Sequence, residues 1–309
     1  MPKISVCIPS YNHAHFLTDA IGSVLKQAYT DFELVVVDNC STDNTARLVQ
    51  EYTATDSRVR YVRNHTNVGP QNNLNRCLEV ATGEYINILC ADDLLEPAAL
   101  QKLIRAFDEH PGISLAGCAR LIVNQRLRPI KLLSFSGTPK VLSGAEMIRM
   151  CLSTSNLIGE PSAVLFRTRD ADRGFDTRYR HLIDLEMWFH LLHKGGFAFI
   201  PEPLCRIRSH SEQLTRHHLE SLSIIPDALL ILNEYVMRTM GASILLQHRW
   251  KLQIAFDVWA QQFTGMSFRS AHSGINEIYP LFLFYLLLPL KALTKIAPFI
   301  RARLAASPR

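Results

Sequence analysis

The sequence lacks several features that would assign it to a particular class of protein. Its seven cysteines are far apart and odd in number, and none form a CxxC pair, which argues against a disulfide framework and against a zinc knuckle. The net charge is only +5, so there is no uniformly basic surface of the kind that binds nucleic acid. We therefore expect a protein of a reducing cytoplasm with no nucleic-acid partner.

The C-terminal region has no apolar run long enough to cross a membrane. The run from Ile278 to Leu290 has thirteen residues and contains two prolines, whereas a spanning helix needs about 20 apolar residues. No acidic residue follows Glu277, while five basic ones do, so the tail predicts peripheral contact with an anionic membrane surface. A helical pair that closes the core and a homodimer contact are the alternatives. The N-terminal segment MPKISVCIPSYN predicts a first strand and not a signal peptide.

Short runs rich in β-branched residues alternate with amphipathic helical patterns over the first part of the chain. This alternation predicts an α/β fold with a mixed, mostly parallel sheet flanked by helices. After residue 216 the character changes to long helical patterns. We expect a catalytic domain over residues 1–216 and a helical region over 217–309. The predicted strands are Ile4 to Ile8, Glu33 to Val37, Arg58 to Val62 and Glu84 to Leu89, and Asn124 to Pro139 is predicted to be a polar loop.

Polar residues follow each predicted strand, where ligands of parallel sheets bind. Asp38 comes directly after the second strand, and its carboxylate can accept a hydrogen bond from a nucleotide base or only satisfy turn donors. Asp92 and Asp93 follow the fourth strand in the segment CADD. Two carboxylates there can bind a divalent cation on a diphosphate. Equally, the two carboxylates can stabilise the N-terminus of the next helix by interacting with its dipole.

Three segments together resemble family-two glycosyltransferases, the inverting nucleotide-sugar enzymes of the GT-A fold. They are ISVCIPSYNHAHFLTDAIGSVLKQAYTDFELVVVDNCSTDNT, NVGPQNNLNRCLEVATGEYINILCADDLLEP and DLEMWFHLLHKGG. They cover roughly Ile4 to Thr215 in the order and spacing of that family, which is more specific than any single motif.

The resemblance implies roles for individual residues. It implies a divalent cation, Mg²⁺ or Mn²⁺, bound by Asp92 with help from His210 of the Arg-x-His loop. Asp184 aligns with the general base that takes the proton of the acceptor, with Glu186 as the alternative, and Arg208 would neutralise the leaving diphosphate. The nucleotide would be held by Pro9, Tyr11, Asn12 and Asp38.

The sequence departs from the family pattern at three positions. Cys90 replaces the first acid of the cation motif, and a thiol is a poor ligand for a hard cation. Ile183 replaces the acid before the base, and Leu74 stands where many members have arginine. These departures motivate an alternative to catalysis, in which the chain is an impaired sugar-nucleotide-binding or scaffold subunit.

The resemblance implies transfer of a sugar from a nucleoside-diphosphate donor to a cell-surface polysaccharide or lipid-linked glycan. The expected location is the cytosolic face of the membrane. A dehydrogenase on a similar sheet fits less well. The turn after the first strand, PSYNHAH, lacks the glycines that let a pyrophosphate approach the backbone.

Overall fold

The structure is a computed structural model. It describes residues 1–210, 224–236, 247–248, 250–252, 254–256, 275–276, 278–280 and 284. The chain divides into two compact units, Met1–Cys151 with Ser155–Gln213 and Leu152–Thr154 with Leu214–Arg309.

The first unit is built on a ten-stranded sheet. The strands are β1 (Ile4–Ser10), β2 (Phe32–Asp38), β3 (Val59–Arg63), β4 (Tyr85–Ile88), β5 (Leu94–Leu95), β6 (Ile113–Asn124), β7 (Pro129–Leu133), β8 (Lys140–Leu142), β9 (Val164–Arg167) and β10 (Gly196–Ser209). The α-helices with defined bounds in the described residues are α1 (Ala14–Leu25), α2 (Thr45–Thr55), α3 (Pro70–Val80), α4 (Ala99–Glu109), α5 (Gly144–Ser153), α6 (Ile183–Leu192) and α7 (Ile224–Ile231).

The sheet is mixed, and its longest ladders are parallel. The order is β3-β2-β1-β4-β9-β6-β10-β5, with β7 on β6 and β8 on β10. β1, β2, β3 and β4 pair in parallel, as do β6 and β10, whereas β9 runs antiparallel between β4 and β6. Every residue of β2 and β4 is buried, as expected for strands covered on both faces. The predicted fold class is confirmed.

The predicted polar loop from Asn124 to Pro139 is wrong in part, because β7 lies within it. Four of the five residues of β7 are exposed, so the strand has no alternation of apolar and polar residues by which a sequence pattern could be recognised. The loop also holds a tight turn at Leu127, whose φ is +60°.

Long helices were predicted over Leu219 to Met240 and Ala242 to Phe263, followed by an apolar tail. Within the first of these, residues 224–231 form α7 and residues 232–236 a π-helical turn. Most of the second helix and of the tail lies outside the described residues. Among the helices that the structure does describe, none is both long and apolar enough to cross a bilayer.

A buried carboxylate joins the N-terminal ends of the first strands. Glu33 of β2 accepts hydrogen bonds from the Ser5 hydroxyl at 2.6 Å and from the backbone and hydroxyl of Thr82 at 2.7 Å each. It also pairs with Arg60 of β3. Burial by itself would raise the pKa of Glu33, but these donors outweigh it and the pKa is lowered. The charged carboxylate therefore stabilises the end of the sheet at which β1 and β2 begin.

Replacing Glu33 with alanine is expected to lower the free energy of unfolding at pH 7 by about 2 to 3 kcal/mol, because several buried donors lose their acceptor. The pKa of the folded state lies below the ordinary value of 4.5. The stabilisation is thus complete above that value and is lost as pH falls through the folded-state pKa. Urea denaturation of the wild type and variant between pH 3 and pH 7 checks this.

The matched control is Glu84→Ala, which removes an exposed partner of Lys3 and should cost about 1 kcal/mol or less. Equal losses in the two variants would contradict the role assigned to Glu33.

Candidate active site

The turns after β1 and β2 are joined by Asn12. Its backbone N–H donates to the Ser41 hydroxyl at 2.9 Å, and its side-chain oxygen accepts from the Thr42 N–H at 2.8 Å. Asn12 has a φ of +56°, a left-handed conformation that asparagine tolerates better than most residues. Pro9 lies in β1, opposite Val37, and Tyr11 is exposed. Three of the residues predicted to hold the nucleotide thus lie at one end of the sheet.

Asp38, the fourth predicted nucleotide residue, is fully buried at the end of β2. One carboxylate oxygen accepts from the Ser41 N–H at 2.9 Å, and the other accepts from the Tyr61 hydroxyl at 2.6 Å. Burial and the Asp38 carboxylate raise the pKa of Tyr61. Arg63 lies 3.7 Å from the same oxygen. Asp38 therefore organises the turn, and its contact with a nucleotide stays a prediction.

The structure brings together Asp92 and His210, the two predicted cation ligands. The Nε2 atom of His210 lies 2.8 Å from the Oδ2 atom of Asp92, although the residues are 118 positions apart. The His210 ring also contacts Phe16 of α1, with 4.9 Å between ring centroids. The two side chains therefore present a carboxylate and an imidazole at one point.

Asp93 faces the protein interior and is almost completely buried. Its carboxylate accepts from the Ser162 hydroxyl at 2.5 Å and from the backbone N–H of Arg208 at 3.0 Å. Burial and the charge of Asp92 raise the pKa of Asp93. The two adjacent acids thus differ in role. Asp93 supports the loop, whereas the next helix, α4, begins only at Ala99 with Ala98 as its N-cap.

Cys90 lies beside these acids. Its sulfur and one carboxylate oxygen each from Asp92 and Asp93 are within 4.8 Å of one another. Burial, followed by the charges of Asp93 and Asp92, raises the pKa of the Cys90 thiol well above its ordinary value. A neutral thiol is a weak ligand for a hard cation, so the donor set that fits such a cation is Asp92 and His210.

Arg208, predicted to contact the diphosphate, is buried and bonded to protein groups. Its guanidinium donates to the backbone oxygens of Asp92 at 2.8 Å and Gln125 at 2.7 Å, and to the carboxylate of Asp19 at 2.9 Å. It also lies over the ring of Phe16. In this arrangement Arg208 positions the loop that bears Asp92, and a direct contact with the donor stays a prediction.

Asp184, the predicted general base, lies in the first turn of α6, which begins at Ile183. It accepts a hydrogen bond from the Leu185 N–H at 2.8 Å. The N-cap residue of α6 is Leu182, so Asp184 lies inside the first turn and does not cap the helix. Burial raises the pKa of Asp184 to about 7, with a further contribution from the charge of Glu160. A carboxyl group with this pKa is suited to take up a proton near neutral pH.

Glu186, the alternative base, is buried and pairs with Arg173, which leaves it less suited to receive a proton.

A segment between the cation loop and α6 connects the two halves of the site. Within it, Ser162 donates to Asp93, while the oxygen of Gly159 accepts from the Trp188 indole of α6 at 2.9 Å. Sequence reasoning missed Ser162, since a serine after proline carries no local signal of a buried partner.

Comparison with known proteins identifies the family. The model of "Glycosyl transferase family 2" matches residues 5–173, more than half of the chain. This chain belongs to glycosyl transferase family 2. It is accordingly a glycosyltransferase enzyme, and the resemblance of the sequence segments to this family is confirmed.

Named relatives agree with the assignment. The putative teichuronic acid biosynthesis glycosyltransferase TuaG of Bacillus subtilis is 30% identical over 64% of this chain and 75% of its own length. The structure of S. aureus TarS 1-349 with UDP is 20% identical, with a TM-score of 0.64 over 89% of this chain and 78% of that one. The mannosyltransferase PcManGT of Pyrobaculum calidifontis with GDP-Man and Mn²⁺ is 18% identical, with a TM-score of 0.56 over 97% and 85%. The GT-A fold is thereby confirmed.

In this glycosyltransferase, Asp93→Ala is expected to lower the free energy of unfolding by about 2 to 3 kcal/mol, since the Ser162 hydroxyl and the Arg208 N–H both lose their buried acceptor. Asp92→Ala should cost less, about 1 to 2 kcal/mol, because only one buried group, the His210 ring, loses this partner. Denaturant titration of both variants measures the difference.

Asp93→Asn is the control, since its amide oxygen can still accept from Arg208 and should recover part of the loss. If Asp92→Ala proved to be the more destabilising of the two alanine variants, the separation of roles between the neighbouring acids would be wrong.

Proposed function

We propose that this enzyme is an inverting glycosyltransferase that moves one sugar from a nucleoside-diphosphate donor to a cell-surface polysaccharide or lipid-linked glycan. The observation that carries the proposal is the arrangement of the site. Asp92 and His210 lie 2.8 Å apart, and Asp184 lies in the first turn of α6, where burial raises the pKa of its carboxyl group to about 7. The donor class is supported by TarS and PcManGT, whose structures contain UDP and GDP-Man. The acceptor class is supported by TuaG, which is named for teichuronic acid biosynthesis.

The catalytic domain in this proposal covers residues 1–216, and the helical region covers 217–309. The turns that carry Pro9, Tyr11, Asn12 and Asp38 would hold the nucleotide. We place the protein on the cytosolic face of the membrane, where the C-terminal region makes peripheral contact. A homodimer contact is the alternative role of that region.

A divalent cation, Mg²⁺ or Mn²⁺, fits the donor set at Asp92 and His210. A carboxylate is a preferred ligand of both ions, and the imidazole of His210 would add a nitrogen ligand. The bound cation would supply positive charge to the leaving diphosphate. Manganese is present in the structure of PcManGT.

The proposed chemistry at Asp184 is general-base catalysis. The carboxylate takes the proton of the acceptor hydroxyl, and the oxygen attacks the anomeric carbon from the side opposite the diphosphate. The bond from that carbon to the leaving oxygen breaks, and its electron pair remains on the nucleoside diphosphate. Attack from the opposite face inverts the anomeric configuration.

The alternative is a catalytically impaired subunit that binds sugar nucleotides. Cys90 and Ile183, each in place of a family acid, favour this alternative. Hydrolysis of a panel of nucleoside-diphosphate sugars, with and without a divalent cation, separates the two. The enzyme is expected to release nucleoside diphosphate only with the cation, whereas an impaired subunit releases none.

The pH dependence of transfer is expected to reflect Asp184. The base must be deprotonated, so kcat/KM should fall about tenfold per pH unit below pH 7. Asp184→Asn should lower turnover by about two to four orders of magnitude. Near-normal turnover of this variant would exclude Asp184 as the base.

Glu160→Gln is a sharper test of the same assignment. The negative charge of Glu160 raises the pKa of Asp184, while the charge of nearby Arg120 lowers it. Arg120 pairs with Glu160, so the substitution also releases its positive charge. The pH at which kcat/KM falls on the acid side of the profile should therefore be lower in this variant. If that pH were unchanged, a group other than Asp184 would control the fall of kcat/KM.

Cation binding is expected to depend on Asp92 and His210. Titration with Mn²⁺ in the presence of a nucleoside diphosphate, followed by electron paramagnetic resonance, should show at least about tenfold weaker binding for Asp92→Ala and for His210→Ala. Cys90→Asp should bind Mn²⁺ more tightly, because it adds a hard ligand.

The matched control is Cys90→Ala, which removes the thiol without adding a charge and should leave the Kd nearly unchanged. If Cys90→Asp behaved like this control, the cation would lie elsewhere.

A further inference from the structure

The hairpin formed by β6 and β7, residues 124–133, presents apolar side chains to solvent. Ile130 and Leu132 of β7 are 59% and 54% exposed. The β6–β7 ladder is irregular at Ile130, which lies between the pairs Val123–Pro129 and Ile122–Lys131. Among the strands that the structure describes, β7 pairs only with β6, so both exposed residues lie at an edge of the sheet.

The tip of the hairpin holds a leucine in an unfavourable conformation. Leu127 has a φ of +60°, a region that costs a residue other than glycine about 1 to 2 kcal/mol. The Asn124 side chain fixes the turn by accepting from the backbone N–H groups of Arg126 and Arg128, at 2.9 and 3.0 Å. Leu127 is half-buried, and backbone strain of this kind is found most often at functional sites.

The charge around the hairpin has one sign. No aspartate or glutamate occurs between Glu109 and Glu146. Arg126, Arg128 and Lys131 are exposed, and none of the three forms a salt bridge within the described part of the chain. The hairpin thus combines unneutralised cations with exposed apolar side chains.

We propose that the hairpin of residues 124–133 docks onto an anionic phospholipid surface. Cations near such a surface are attracted to lipid head groups, and adjacent apolar side chains enter the boundary of the acyl region. Arg126 and Arg128 flank Leu127 at the tip, while Ile130 and Leu132 extend the apolar contact along β7. The surface charge therefore complements that of an anionic bilayer.

The hairpin is connected directly to the candidate cation site. The buried guanidinium of Arg208 donates both to the backbone oxygen of Gln125 in the turn and to that of Asp92. Docking would hold the cation loop near the bilayer, where the diphosphate end of a lipid-linked glycan lies. This step rests on the proposed function, whereas vesicle binding itself does not.

The test is cosedimentation of the full-length chain with vesicles of phosphatidylcholine alone or mixed with phosphatidylglycerol. Wild-type protein is expected to bind the anionic vesicles, less tightly at high salt. Arg126→Glu with Arg128→Glu should weaken binding by about tenfold or more, and Ile130→Ser with Leu132→Ser should weaken it severalfold. Val141→Ser is the matched control, because Val141 is 50% exposed but lies on β8, which pairs with β10.

The variant Lys291→Glu with Lys295→Glu removes two C-terminal cations, and its vesicle binding is compared with that of the hairpin variants. The hairpin variants are expected to lose binding whether or not this C-terminal variant does. The inference fails if wild-type protein does not bind anionic vesicles, or if both hairpin variants bind as the wild type does. It also fails if the hairpin variants change only the oligomeric state in light scattering. Unchanged cation-dependent donor hydrolysis shows that the hairpin variants are folded. Failure of the proposed function would appear in that assay for the wild type as well.

Discussion

The arrangement of the site depends on the buried carboxylate of Asp93. Its two oxygens accept from Ser162 and from the backbone of Arg208, residues 69 and 115 positions away along the chain. This one group therefore fixes the loop after β4 against the segment before β9 and against the end of β10. Residues 90–93 form a turn that is closed by a hydrogen bond from the Asp93 N–H to the Cys90 oxygen at 3.0 Å. With Asp93 held inward by its partners, the carboxylate of its neighbour Asp92 lies 2.8 Å from the His210 ring.

The carboxylates of Asp92 and Asp93 lie close together, and a buried positive charge lies beside them. Arg208 places a buried positive charge beneath Asp92 and Asp93, and Asp19 on α1 completes its hydrogen bonds. This charge offsets part of the repulsion between the two acids, whereas a second acid at position 90 would add to it. The thiol of Cys90 avoids that repulsion, and Asp92 and His210 remain the proposed cation ligands.

Much of the fold could be predicted from the sequence, because β1, β2 and β4 are buried on both faces and their residues are mostly apolar. β7 could not be recognised from the sequence, because its residues are exposed on both faces. β5 could not be recognised either, because a strand of two residues is too short to show an alternation of apolar and polar side chains. The meeting of Asp92 with His210 followed from the family resemblance. Local pattern gave no sign of it, nor of the role of Ser162, since both contacts form only when distant strands come together.

The pKa of Asp184 shows why such properties arise only from tertiary structure. In the sequence, Asp184 is an acid near the start of a helix, where the helix dipole should keep its pKa low. Burial opposes that effect, and the charge of Glu160 adds to the rise. Arg120 limits the rise, because it pairs with Glu160 and is itself positive. Without Arg120, the unneutralised charge of Glu160 would raise the pKa of Asp184 further, and less of this carboxyl group would be ionised at neutral pH. The Arg120–Glu160 pair therefore adjusts the pKa of Asp184, the proposed base, as well as holding the segment beside it.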